Sequence, residues 1–149
     1  MARCAKMMQP VLRILAVAIG GIFVYAGALK ALDPGRFAGD VANFKLLPWH
    51  ASVLLALYLP WLEIICGAAL IFKRLYAGAL VLLALLNLIF LAALISAKVR
   101  GLDISCGCFG RAITHSITAS AAIDVGILAV LLFLYWNERL PVITPPVID

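Results

Sequence analysis

The chain has 149 residues, 66% of them hydrophobic and 13% charged, with a formal net charge of +5. Soluble domains carry about 25% charged residues, so this chain lacks the polar surface to coat itself against water. A water-soluble globule, a disordered segment and a nucleic-acid-binding domain are all poor readings, and the basic excess reads as membrane borders and loops. Four cysteines are too few and too scattered for a disulfide-stapled mini-protein.

Arg3, Lys6 and Arg13 precede a charge-free run from Ile14 to Leu29. The start imitates a signal peptide, with Ala26-Gly27-Ala28 as a small-x-small cleavage site. The run is long for that purpose and three more spans follow, so the expectation is an uncleaved first helix near 11–31. Ala16, Gly20 and Gly27 mark one small-residue face on it, suited to close helix packing. Next comes Asp33–His50. Pro34 reads as a helix start, and Phe37, Val41, Phe44 and Leu47 share one face, with Arg36, Asp40 and Lys45 elsewhere. This predicts a short interfacial helix.

A second span is predicted at 51–72, with Pro60 just before Glu63 as a kink that frees a backbone carbonyl. Only Lys73 and Arg74 separate it from a third span at 75–97, so these two form a tight antiparallel hairpin. Residues 98–115 connect to a fourth span at 116–136, which carries a small-residue face of Ala119, Ala122, Gly126 and Ala129. Pro141, Pro145 and Pro146 then predict an irregular tail. Each span approaches the ~20 apolar residues needed to cross ~30 Å of hydrocarbon, and nothing shows the period-2 alternation of a barrel. The fold class is therefore an all-α membrane protein, a four-transmembrane-helix bundle with a short interfacial helix between helices 1 and 2. Residues 1–149 read as one integral membrane domain, without repeats.

The positive-inside rule is tied. One side carries Arg3, Lys6, Arg13, Lys73, Arg74 and Arg139, and the other Lys30, Arg36, Lys45, Lys98, Arg100 and Arg111. Short loops obey the rule best. The basic N-terminus and the Lys73-Arg74 turn thus favour both termini inside and the 98–115 loop outside.

That loop contains Cys106-Gly107-Cys108. Two thiols one residue apart close only a small ring, with Gly107 supplying the backbone freedom. A strained disulfide has a raised reduction potential and exchanges readily. Arg100 and Arg111 favour thiolates, while Asp103 opposes them. The competing readings are metal ligation and two incidental cysteines. Zinc needs more Cys or His ligands than His115 and the distant His50 provide, and no metal site is assigned.

Glu63 lies roughly 16 Å into span two and Asp124 roughly 12 Å into span four, by helix rise. A charge at the bilayer centre costs at least ~2.5 kcal/mol, so each acid must face the bundle interior, be protonated or pair. Lys30, at the end of span one, is the nearest cation to either, and Ser120 shares a face with Asp124. Lys30, Glu63 and Asp124 thus read either as a polar pocket for a quinone, a proton path or a substrate, or as a helix–helix clamp. Cys66, one turn from Glu63, reads as a small buried residue. Asn87 reads as an interhelical hydrogen-bonder, and Cys4 receives no role.

Several of these segments resemble a known family. Tyr25-Ala26-Gly27-Ala28-Leu29-Lys30, Asp33-Pro34 and Phe37-Ala38 resemble the first helix and loop of DoxX-like membrane proteins. Leu59-Pro60-Trp61-Leu62-Glu63 with Gly67 resembles their second helix. Arg100-Gly101 followed by Cys106-Gly107-Cys108-Phe109-Gly110 is similar to the branch containing the methylamine-utilisation protein MauE. The similarity covers about residues 20–135.

The resemblance implies a four-helix inner-membrane protein with its cysteine loop in the periplasm. That protein would support maturation of a disulfide-rich periplasmic substrate, of the methylamine dehydrogenase light-subunit type, beside a thioredoxin-like partner of the MauD type. Cys106 and Cys108 then become the exchange pair. The chain also resembles vitamin K epoxide reductase-type oxidases in size and helicity, but it lacks their Cys-x-x-Cys pair and second relay pair. A device exchanging with one soluble partner fits better than a self-contained thiol-to-quinone oxidase, and whether it acts alone stays open. The alternative is a non-enzymatic scaffold, assembly subunit or small transporter that uses the intramembrane acids.

Overall fold

The computed structural model describes the backbone of residues 2–101 and 117–139, and the side chains of residues 9–101 and 120–138. Cys106 and Cys108 lie outside the described residues, as do residues 140–149. Five helices follow one another: α1 (Ala2–Leu32), α2 (Pro34–Asn43), α3 (Trp49–Phe72), α4 (Tyr76–Val99) and α5 (Ile117–Arg139). Four contain segments long and apolar enough to cross a membrane: Gln9–Leu32, Trp49–Phe72, Tyr76–Val99 and Ser120–Glu138. These are the four spans read from the sequence, within a few residues, although α1 begins earlier and carries Pro10 inside it. Among the described residues there is no strand. Helix is the natural outcome, because lipid offers nothing to hydrogen-bond an open backbone.

The bundle consists of two antiparallel pairs, α1 with α3 and α4 with α5, joined through α3 and α4. Leu70, Leu80, Leu83, Leu131 and Leu134 fill the centre. Tyr58, Trp61, Ile65, Ile89 and Trp136 point outward, as lipid-facing side chains do.

The α1–α3 contact is set by missing side chains. A Cβ placed on Gly20 would lie 2.7 Å from the Gly67 carbonyl oxygen, and one on Gly67 would lie 2.7 Å from the Gly20 oxygen. Seven residues on, a Cβ on Gly27 would lie 2.8 Å from the Pro60 oxygen. The two backbones are therefore in direct contact, as small-residue faces permit in membranes. At the other end of α1, Arg13 Nη2 donates to the Ile71 carbonyl at 2.6 Å, a cation against the C-terminal end of α3.

Pairing Gly20 with Gly67 and Gly27 with Pro60 leaves the first two turns of α3 extending past the end of α1. Helix α2 packs there. Asp33 caps it, accepting from the Arg36 backbone N–H at 3.0 Å, and Pro34 occupies its first turn. Ala38 and Phe44 are buried beneath it. The sequence reading placed Leu47 on the same inward face. The helix instead ends at Asn43, Lys45 takes φ 51°, and Leu47 is exposed. The α3–α4 turn is as tight as expected, with Lys73 and Leu75 both at positive φ.

Among the described residues the small-residue face expected on the fourth span stays exposed; the side chain of Ala119 lies outside them. Ala122, Gly126 and Ala129 are exposed, and nothing lies within 4 Å of a Cβ on Gly126. The two faces therefore predict opposite responses to added bulk. Gly67→Ala pushes a methyl into backbone that cannot move aside, and should lower stability by about 1–3 kcal/mol. Gly126→Ala meets open space and should be neutral, or stabilising by up to about 1 kcal/mol through helix propensity. Thermal unfolding in detergent compares them.

Candidate functional site

The close approach at Gly27 places Lys30, one turn later, beside Glu63 on α3. Lys30 Nζ donates to both carboxylate oxygens, at 2.7 and 2.8 Å. Their side chains are only 13% and 9% exposed. Nζ also sits 5.4 Å from the centroid of the Phe37 ring on α2. That distance suits a cation–π contact, and it sets the short helix over the ion pair. Such a pair is the least costly way to hold two charges at this depth, because each neutralises the other where water cannot.

Facing it are Asn87 of α4 and Asp124 of α5, both more than nine-tenths buried. Asn87 Nδ2 donates to Asp124 Oδ1 at 3.4 Å, a long bond. The remaining oxygens, Asn87 Oδ1 and Asp124 Oδ2, are buried without a hydrogen-bond partner among the described residues. Lys30, Glu63, Asn87 and Asp124 all line one cavity of about 80 Å³, with Phe23 and Phe90 among its apolar walls. The three intramembrane residues singled out from sequence are thus brought to one place. Asn87 joins them, bonded between helices as expected and also part of the cavity wall.

The cavity limits what can enter. A dry apolar cavity of 150 Å³ takes one benzene ring, and this one is about half that volume. A quinone ring would enter only if the lining side chains moved. Cys66 is buried one turn beyond Glu63, in the central cluster with Leu70 and Leu83, and does not line the cavity. Ser120 does not line it either. Among the described residues no three His, Cys, Asp or Glu side chains cluster as metal ligands would.

Two contributors were invisible in sequence. Phe37 read only as part of an apolar stripe, yet its ring faces the ammonium. Arg100 read as a neighbour of the cysteines. Its guanidinium reaches back 56 positions, Nη1 donating to the Phe44 carbonyl at 3.3 Å and the Lys45 carbonyl at 3.5 Å. The end of α4, where the cysteine-bearing connection begins, is thereby tied to the end of α2. Helix α4 ends, and helix α5 begins, at the end of the bundle where α2 covers the ion pair.

Four apolar crossings, a covering helix and a charged cavity between the helices define a small multi-pass membrane protein. A family model described as "Methylamine utilisation protein MauE" matches residues 8–137, which include the first three spans, all but the last residue of the fourth, and the Cys-Gly-Cys segment. The MauE protein of Paracoccus denitrificans is 36% identical over 114 residues, covering 75% of this chain and 61% of that relative. The MauE protein of Methylophilus methylotrophus is 34% identical over 105 residues, covering 69% of this chain and 55% of that relative. The chain therefore belongs to the MauE family of methylamine utilisation proteins. It matches 61% and 55% of the length of these two curated relatives. No solved structure matches it.

Removing one member of the ion pair should be far worse than removing both. Glu63→Gln strands the ammonium of Lys30, and such half-broken buried pairs cost about 3–5 kcal/mol. The double variant Lys30→Met, Glu63→Leu should recover most of that loss. Unfolding temperatures of the two variants in detergent measure the difference.

Proposed function

We propose that this protein supports disulfide formation in a protein maturing outside the inner membrane, by thiol–disulfide exchange at Cys106-Gly107-Cys108. The cysteine loop faces the periplasm and both termini face the cytoplasm. The substrate is a disulfide-rich protein of the methylamine dehydrogenase light-subunit type, and the partner is a thioredoxin-like protein of the MauD type. The observation that carries this reading is the family match, which runs through the Cys-Gly-Cys segment. The anchoring of Arg100 to the end of α2 supports it further, because the loop then starts from a fixed point on the bundle.

A thiolate of the substrate attacks the loop disulfide, forming a mixed disulfide and releasing one loop thiolate. The substrate's second thiolate then attacks the mixed disulfide. The substrate leaves with a new disulfide, and the loop keeps two electrons as a dithiol. An oxidised thioredoxin-like partner takes those electrons and restores the loop. The bundle holds the loop at the membrane surface, and the Lys30–Glu63 pair fixes the helices beneath it.

A second reading, a scaffold or small transporter, is favoured by the buried cavity with its two open acceptors. The two readings predict opposite orders of damage. Under the exchange reading, the double variant Cys106→Ser, Cys108→Ser abolishes substrate maturation while the purified bundle stays folded. Under the second, Glu63→Gln costs more function than Cys106→Ser. Maturation assays on these variants separate the two. A membrane-impermeant maleimide on intact cells should label the pair only after reduction. Normal maturation in the double cysteine variant, or labelling of the reduced pair only after lysis, would rule the exchange reading out.

A further inference from the structure

Among the described residues, the cavity between α1, α3, α4 and α5 holds one acid without an ion-pair partner and two unanswered acceptors. Lys30 and Glu63 cancel each other through two hydrogen bonds. Asp124 has no such partner. Its Oδ1 receives only the long bond from Asn87, and its Oδ2 receives none among the described residues. Asn87 Oδ1 is likewise open. Buried polar atoms without partners are uncommon in folded proteins and call for a cause. Here both are oxygens, both belong to residues more than nine-tenths buried, and both residues line the same partly open cavity.

We propose that this cavity binds a small ammonium ion, inorganic ammonium or a short primary alkylammonium, between Asn87 Oδ1 and Asp124 Oδ2. Three features select this class. The first is charge. With Lys30 and Glu63 paired, the carboxylate of Asp124 calls for one positive charge. The second is hydrogen bonding. A proton on Asp124 Oδ2 would cancel the charge and give one donor, for Asn87 Oδ1 alone, with nothing for the space between the helices; water would supply donors without charge. An ammonium group supplies the charge together with three or four N–H donors. A hard metal ion of the Ca²⁺ or Mg²⁺ kind fits poorly, because it draws six or more oxygen ligands and two oxygens are open here among the described residues. The third is shape and lining. About 80 Å³ admits an ion of two or three heavy atoms where a six-carbon ring is excluded. The rest of the wall is apolar and aromatic, including Ile22, Phe23, Phe90 and Ile127. An alkyl group packs on such a surface, and the ring faces attract a cation.

The test uses the full chain in lipid nanodiscs at constant ionic strength. Ammonium, methylammonium, tetramethylammonium and sodium chlorides are titrated while thermal unfolding is followed. Ammonium and methylammonium should raise the unfolding temperature saturably, on the order of 5 °C at 100 times the dissociation constant. Tetramethylammonium, with charge but no N–H donors, and sodium should not. Asp124→Asn should weaken the apparent affinity at least tenfold, while the double variant Cys106→Ser, Cys108→Ser should bind as the native protein does. A second readout does not depend on a folded Asp124 variant. In infrared difference spectra of protein with isotope-labelled aspartate, methylammonium should shift a carboxylate stretch saturably where sodium leaves it in place. Equal responses to all four cations would overturn the proposal. So would an undiminished response in Asp124→Asn, or an aspartate band that stays that of a protonated acid at saturating methylammonium.

Discussion

A charged side chain inside a bilayer has to find its opposite, and in this protein Lys30 and Glu63 do so at 2.7 and 2.8 Å. Much of the rest is arranged around that pair. Lys30 sits on the last turn of α1, and Glu63 lies more than halfway along α3. They meet because α1 stops about two turns short of the start of α3. That offset follows from the register of Gly20 on Gly67 and Gly27 on Pro60. Shift α1 along α3 by one turn and the lysine loses its carboxylate. Glycine contact and ion pair are thus one constraint seen at two points, since the first allows the backbones to touch and the second selects where.

The same offset explains the short helix. With α1 ending early, the first turns of α3 would stand uncovered and the ion pair would lie open from that side. Helix α2 fills the gap. Its amphipathic face brings Phe37 over the ammonium and buries Ala38 and Phe44, and Arg100 holds its far end through two backbone carbonyls. The connection bearing Cys106 and Cys108 begins one residue after this anchor. A change in that loop and a change in the covering helix therefore share a physical link through Arg100.

The second half of the molecule is built differently. Helices α4 and α5 meet through leucines at the centre and through Asn87 and Asp124 nearer the cavity, and their hydrogen bond is long. The small residues of α5 face outward, although those of α1 face a partner. Composition alone cannot separate the two stripes. A run of alanine and glycine at helical spacing states that a helix can be approached closely, and says nothing of whether another helix comes.

The sequence by itself determined that the chain is helical and crosses a membrane four times. Those properties depend on how many consecutive residues are apolar and where charges interrupt them, which are local quantities. It also determined the start of the short helix, written in Asp33-Pro34, and marked Lys30, Glu63 and Asp124 as charges needing an explanation. Only the tertiary structure decided that Lys30 answers Glu63 and leaves Asp124 to Asn87, that α2 ends before Leu47, and that Ala122, Gly126 and Ala129 of α5 stay exposed among the described residues. Each of those outcomes turns on the register between helices far apart in the chain. That register is set by which backbones can touch, a property of pairs of faces that no single stretch of sequence contains.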